Sequence, residues 1–127
     1  MAANIRSLTV REVNAFHDMA LNENGGMPGL RDPGLLESAV LRPQIAYGYG
    51  VTDLAELAAK LAFGLLSNHA FFDGNKRTAL ISSLVFLRLN GQQFTIGGAE
   101  VATLLIATAN GEITEEELVH WYKQKTR

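Results

Sequence analysis

His69-Ala70-Phe71-Phe72-Asp73-Gly74-Asn75-Lys76-Arg77 places an imidazole, a carboxylate, a glycine and two cations within nine residues. Apolar segments on both sides read as buried helices, so the stretch is the junction between two helices of an all-α fold. No packing requirement asks for that order of side chains. It matches what phosphate transfer needs: a base, a metal ligand, an anion cradle and charge clamps.

Each position has a chemical reason. Imidazole exchanges protons near neutral pH, which makes His69 the natural base for an attacking hydroxyl. Asp73 offers a hard oxygen, suited to Mg²⁺ whose other positions are filled by nucleotide phosphates and water. Gly74 removes a side chain where the backbone must turn and approach a ligand. Because a helix follows, the N–H groups of Gly74, Asn75 and Lys76 point out of a helix N-terminus, an anion site by geometry and dipole together. Lys76 adds a point charge, and Arg77 a planar fork for two phosphate oxygens.

Singly these residues read as a helix-end histidine, an Asp-Gly turn and a solvated Lys-Arg pair. Together they carry the phosphate reading. Phe71 adds to it, because an aromatic ring in an otherwise polar loop is an anchor that pins the loop into the core and preorganises His69.

The pattern His69-x-Phe71-x-Asp73-Gly74-Asn75-Lys76-Arg77 resembles the signature of the Fic/Doc superfamily, and the Lys-Arg-Thr ending resembles its Doc (death on curing) toxin branch. Nucleotidyl-transferring Fic proteins usually carry Gly where this chain has Lys76. Gly25 through Ala39, and Phe86-Leu87-Arg88-Leu89-Asn90-Gly91, resemble further segments of Doc-type proteins, so the likeness covers nearly the whole chain. It implies a Fic-like fold and ATP-dependent protein kinase activity, with ATP bound in reversed orientation relative to the nucleotidyl-transferring relatives. It also implies elongation factor Tu as target, translation arrest, and a cognate antitoxin whose carboxy-terminal segment folds onto the toxin. Some Fic proteins inhibit themselves through Ser/Thr-x-x-x-Glu-Gly/Asn; here Thr52-Asp-Leu-Ala-Glu56 continues with Leu57, so inhibition is expected from another chain. AMP transfer with the same residues is the neighbouring alternative, and a non-catalytic helical binding module the alternative of another class.

Bulk properties agree with a small cytoplasmic enzyme. At 127 residues and 47% hydrophobic the chain suits one domain over 1–127, of a size that buries roughly two-thirds of its unfolded surface. With no cysteine, disulfides and thiolate metal sites are excluded. Met1 to Val13 mixes Arg6, Arg11 and Glu12 and is no signal peptide. The longest apolar stretch, Ala79 to Leu87, falls far short of the ~20 residues that span a bilayer, so no membrane partner is expected. A formal net charge of −2 speaks against direct nucleic-acid binding.

About six helices are expected. Thr9 and Glu12 form a capping-box pattern with Leu8 and Val13 as staple, predicting a helix from about Val10 to Asn22. Gly25 to Gly34, dense in glycine and holding two of the three prolines, reads as loop, either a connection or a mobile rim of the site. A short helix is expected from about Leu35 to Leu41, ending before Pro43. Asp53 and Glu56 start the third helix, with an apolar stripe from Leu54 to Leu65. The fourth, about Asn75 to Asn90, is apolar nearly all round and is predicted to be central and most buried. Gln92 to Ile96 reads as a linker or flap arm. The fifth spans Ala99 to Ala109, and the sixth starts at a Thr114/Glu117 capping box with Trp121 and Tyr122 directed at the core. Arg88 lies three turns after Arg77, ~16 Å along the same face, as a second phosphate ligand or a salt-bridge partner. A metal site from His17, His69 and His120 would need three separate elements to converge, which nothing in the sequence supports.

Overall fold

The computed structural model describes residues 4–127 and contains six helices: α1 (Val10–Asn24), α2 (Pro33–Gly48), α3 (Leu54–Asn68), α4 (Asn75–Leu89), α5 (Gly98–Ala109) and α6 (Glu115–Gln124). Local signals account for most boundaries. Both capping boxes form, with Thr9 and Glu12 exchanging bonds at α1 and Thr114 and Glu117 at α6. The backbone and hydroxyl of Thr114 hold the exposed Glu117 carboxyl below the usual carboxylate range. Leu8, Val13 and Leu118 are buried as the staples require.

α2 departs from expectation at both ends. It begins at Pro33, where a ring without an N–H suits the first helical position, and Asp32 caps it by accepting from the Leu35 N–H at 3.0 Å. It then runs through Pro43 to Gly48. An interior proline removes one helical hydrogen bond and costs ~3 kcal/mol in isolation. Here Leu36, Ala39, Val40 and Pro43 are all buried, and α2 packs along α3 at close range. A Cβ added to Gly64 would come within 3.3 Å of Ala39. Tertiary packing offsets the lost bond.

α3 is the hub, lying against α2, α4, α5 and α6. It buries nine of its residues against seven for α4, so α4 is central but α3 is the more buried of the two. Ser82, Ser83 and Thr78 occupy buried positions on α4. α1 lies across α4 and α2, and α5 across α4 and α3. Gln92 to Ile96 is paired with the C-terminal residues: Gln93 and Arg127 exchange backbone bonds at 2.9 and 2.8 Å. Trp121 is 40% exposed, with the Lys125 ammonium over its ring, whereas Tyr122 is 1% exposed. The buried stripe of α6 runs through Leu118 and Tyr122, four residues apart on one face, which leaves Trp121 at its edge.

The Tyr122 hydroxyl bonds to Ser83 at 3.0 Å, and burial pushes its ionisation well above the ordinary tyrosine range, partly offset by that bond. In the unfolded chain a tyrosine ionises near pH ~10. The unfolded state therefore sheds this proton first, and stability present below that pH is lost as pH rises. Tyr122→Phe should cost about 0.5–1.5 kcal/mol at neutral pH and show a shallower loss of melting temperature above pH ~10 than the parent. Parallel alkaline slopes would place the hydroxyl in contact with water.

Candidate phosphate-transfer site

The α3–α4 junction is built so that one strained residue and one glycine turn the chain sharply. His69 caps α3 with φ 49° and ψ 51°, making it the one non-glycine residue with positive φ among those described. A left-handed non-glycine residue persists only where its surroundings hold it. Arg31 does so: its Nε donates to the His69 carbonyl at 2.9 Å and its Nη2 to the Asn68 carbonyl at 3.1 Å. These bonds satisfy helix-end acceptors and set a cation at the negative end of the α3 dipole.

Phe71 is 1% exposed, the anchor that the sequence implied. Gly74, at φ 83°, starts α4 with no side-chain cap. The first N–H groups of α4 are thus left for a ligand. His69, Asp73, Gly74, Asn75, Lys76 and Arg77 all line one cavity of about 480 Å³, together with the apolar Leu80, Ala102 and Ile106. All six residues named from the sequence converge there. Neither Arg88 nor His120, which is exposed on α6, lines this cavity.

Three details were not legible in the sequence. The Asn75 side chain, expected near phosphate, instead closes its own loop: Oδ1 accepts from the Phe71 N–H at 3.1 Å, and Nδ2 donates to the Phe71 carbonyl at 2.8 Å and reaches His69 Nδ1 at 3.1 Å. The Phe71 contacts orient the amide so that its NH2 faces His69 Nδ1, which accepts in this geometry. Secondly, the Gly25 to Gly34 segment is pinned. Met27 N–H donates to Asp73 Oδ2 at 2.7 Å, and both Arg31 and Asp32 N–H groups donate to the Ala70 carbonyl. With Asn24, Gly25 and Gly26 on the cavity wall, and Asn24 Oδ1 accepting from Arg77 Nη2 at 3.2 Å, it is a bonded rim. Thirdly, His17 stands behind the loop, 2% exposed. Its signal was a polar ring in the buried stripe Val13, His17, Ala20 of α1.

The donor set suits Mg²⁺. Among the described residues no group of three or more His, Asp or Glu could hold a metal by itself. A single carboxylate beside an anion-receptive helix end is the arrangement in which phosphates and water complete the coordination of Mg²⁺. Also among the described residues, no helix is long and apolar enough to cross a membrane.

The fold and site define an all-helical protein in which a histidine, a carboxylate and an uncapped helix N-terminus flanked by two cations share one cavity. The sequence model of the Fic/DOC family matches residues 7–87, and the chain belongs to that family. On the Doc side it is 40% identical to the protein kinase Doc of Escherichia phage P1 over 111 residues, 87% of each chain. It is 43% identical to the toxin Doc of Mycolicibacterium smegmatis over 96 residues, 70% of this chain and 73% of that one.

Proposed function

We propose that this protein is a Doc-type toxin kinase that transfers the γ-phosphoryl group of ATP to a hydroxyl of elongation factor Tu and so arrests translation. The observation that carries the reading is the uncapped start of α4 opening into the same cavity as His69, Asp73, Lys76 and Arg77. The N–H groups of Gly74 and Asn75, with Lys76 and Arg77, bind the phosphates. Asp73 holds Mg²⁺, which when bound neutralises charge on the phosphate oxygens. The acceptor oxygen forms a bond to the γ-phosphorus while the bond to the bridging oxygen breaks, ADP leaves, and the hydroxyl proton passes to His69. With Nδ1 engaged by Asn75, His69 takes that proton once this contact is released. Apo sites commonly tighten into their working geometry only with substrate present. The names of the relatives support a toxin with a cognate antitoxin; the covering of the toxin by the antitoxin's carboxy-terminal segment and the cytoplasmic location belong to this proposal and rest on the resemblance to the Doc branch alone.

Incubation with Mg²⁺ and purified elongation factor Tu, once with γ-labelled and once with α-labelled ATP, tests this. Label is expected from the γ position alone, with the target gaining one phosphoryl group. Transfer from the α position would mean AMP addition and would overturn the role given to Lys76. No transfer from either would overturn the assigned target, and with it the kinase reading if a bacterial lysate also stays unlabelled.

A further inference from the structure

We propose that His17 is a positioning residue that locks the Asp73–Gly74 peptide in the orientation needed for phosphate binding; the proposal rests on the phosphotransfer reading above. His17 comes from the middle of α1 and is 2% exposed. A buried imidazole needs partners for its nitrogens, and its Nε2 lies 2.7 Å from the Asp73 carbonyl oxygen. A carbonyl only accepts, so Nε2 carries the proton and donates it.

The consequence follows from the planarity of the peptide bond. The Asp73 C=O and the Gly74 N–H belong to one trans peptide, so they point in opposite directions. Holding the carbonyl against His17 turns the Gly74 N–H away from α1. Gly74 itself lines the cavity where phosphates are expected. Such a lock is needed here because the two common turn conformations differ by a flip of this kind of peptide unit, and glycine at positive φ resists neither state.

Two more contacts show that the ring is fitted to this task. It stacks on Phe71 with centroids 3.7 Å apart and planes 8° from parallel. A Cβ on Gly74 would lie 3.3 Å from His17 Cδ2. His17 therefore meets the loop at Phe71, Asp73 and Gly74. The Asp73 carboxylate is held separately, by the Met27 N–H at 2.7 Å. The backbone and the side chain of Asp73 are thus oriented from two different elements.

Two substitutions separate this role from simple core filling. His17→Phe keeps a ring to stack on Phe71 and removes the donor; His17→Gln keeps a donor at similar reach and removes the stack. Mg·ATP affinity by isothermal titration calorimetry, KM and kcat for phosphorylation, and melting temperature are measured for both. The loss of one oriented hydrogen bond should weaken Mg·ATP binding and raise the ATP KM of His17→Phe about tenfold, with a smaller change in kcat. His17→Gln should bind within about threefold of the parent despite lower thermal stability. In the nucleotide-free protein, relaxation dispersion at the Gly74 amide should appear in His17→Phe and be absent from the parent, reporting peptide exchange without any reaction.

Parent-like ATP affinity and a quiet Gly74 amide in His17→Phe would overturn the proposal. So would weakening in both variants that follows their loss of stability. A parent that binds Mg·ATP but phosphorylates nothing counts against the kinase reading alone, because the Gly74 and binding measurements still decide the role of His17. A parent that binds no Mg·ATP overturns both.

Discussion

His69→Ala should lower phosphate transfer by roughly 10²–10⁴-fold, the range expected when a positioned general base is removed, while leaving helix content and melting temperature close to the parent. The ring is exposed to the cavity, and the hydrogen bond it receives is the one from Asn75 Nδ2. Its removal therefore takes little from the core. The left-handed backbone at φ 49° is the one local risk, and His69→Asn serves as control because asparagine tolerates that conformation better than alanine. Growth arrest on expression, label transfer from γ-labelled ATP and thermal melting are the three measurements. A toxic, phosphorylating His69→Ala would sink the proposed mechanism. A variant that loses activity only in proportion to unfolding would show that the histidine holds the loop and takes no part in proton transfer.

Phe71→Ala is expected to have the largest effect on stability. The ring is 1% exposed, stacked on His17, and its backbone N–H and carbonyl are both bonded to the Asn75 amide. Truncating a buried phenylalanine costs about 3–5 kcal/mol, a third or more of the stability of many domains, which totals roughly 5–15 kcal/mol. The damage should spread to the site, since the cavity left beneath the loop frees His17 and Asn75 together. Phe71→Leu, which refills most of the volume, should lose less than half as much. Urea denaturation of the three proteins reads the difference, and a loss below about 1 kcal/mol for the alanine variant would show that the loop is not pinned through this ring.

The outcome for each element shows where sequence reading reaches its limit. α1, α3 and α6 were legible because their signals are local: a capping residue, its partner three positions on, and an apolar stripe within one helix. α2 runs past Pro43, against the sequence expectation, because the energy that carries the helix past a missing hydrogen bond comes from α3, whose Gly64 lets Ala39 approach. Trp121 and Tyr122 were equally apolar on paper. Which of them is buried depended on where α6 meets Ser83 and Phe94, and Tyr122 packs edge-on against Phe94 with ring centroids 5.1 Å apart.

The same division runs through the site. By itself the sequence determined the all-helical class, the junction between α3 and α4, the buried anchor Phe71 and the convergence of His69, Asp73, Gly74, Asn75, Lys76 and Arg77, because nine consecutive residues at a helix junction cannot lie far apart. Only the tertiary structure decided what holds that junction in a working shape. His17 reaches Asp73 across 56 positions, Met27 reaches the same residue across 46, and Arg31 reaches His69 across 38. Contacts at those separations leave no periodic trace in the chain, since each depends on how α1 and the glycine-rich segment come to rest against α3 and α4.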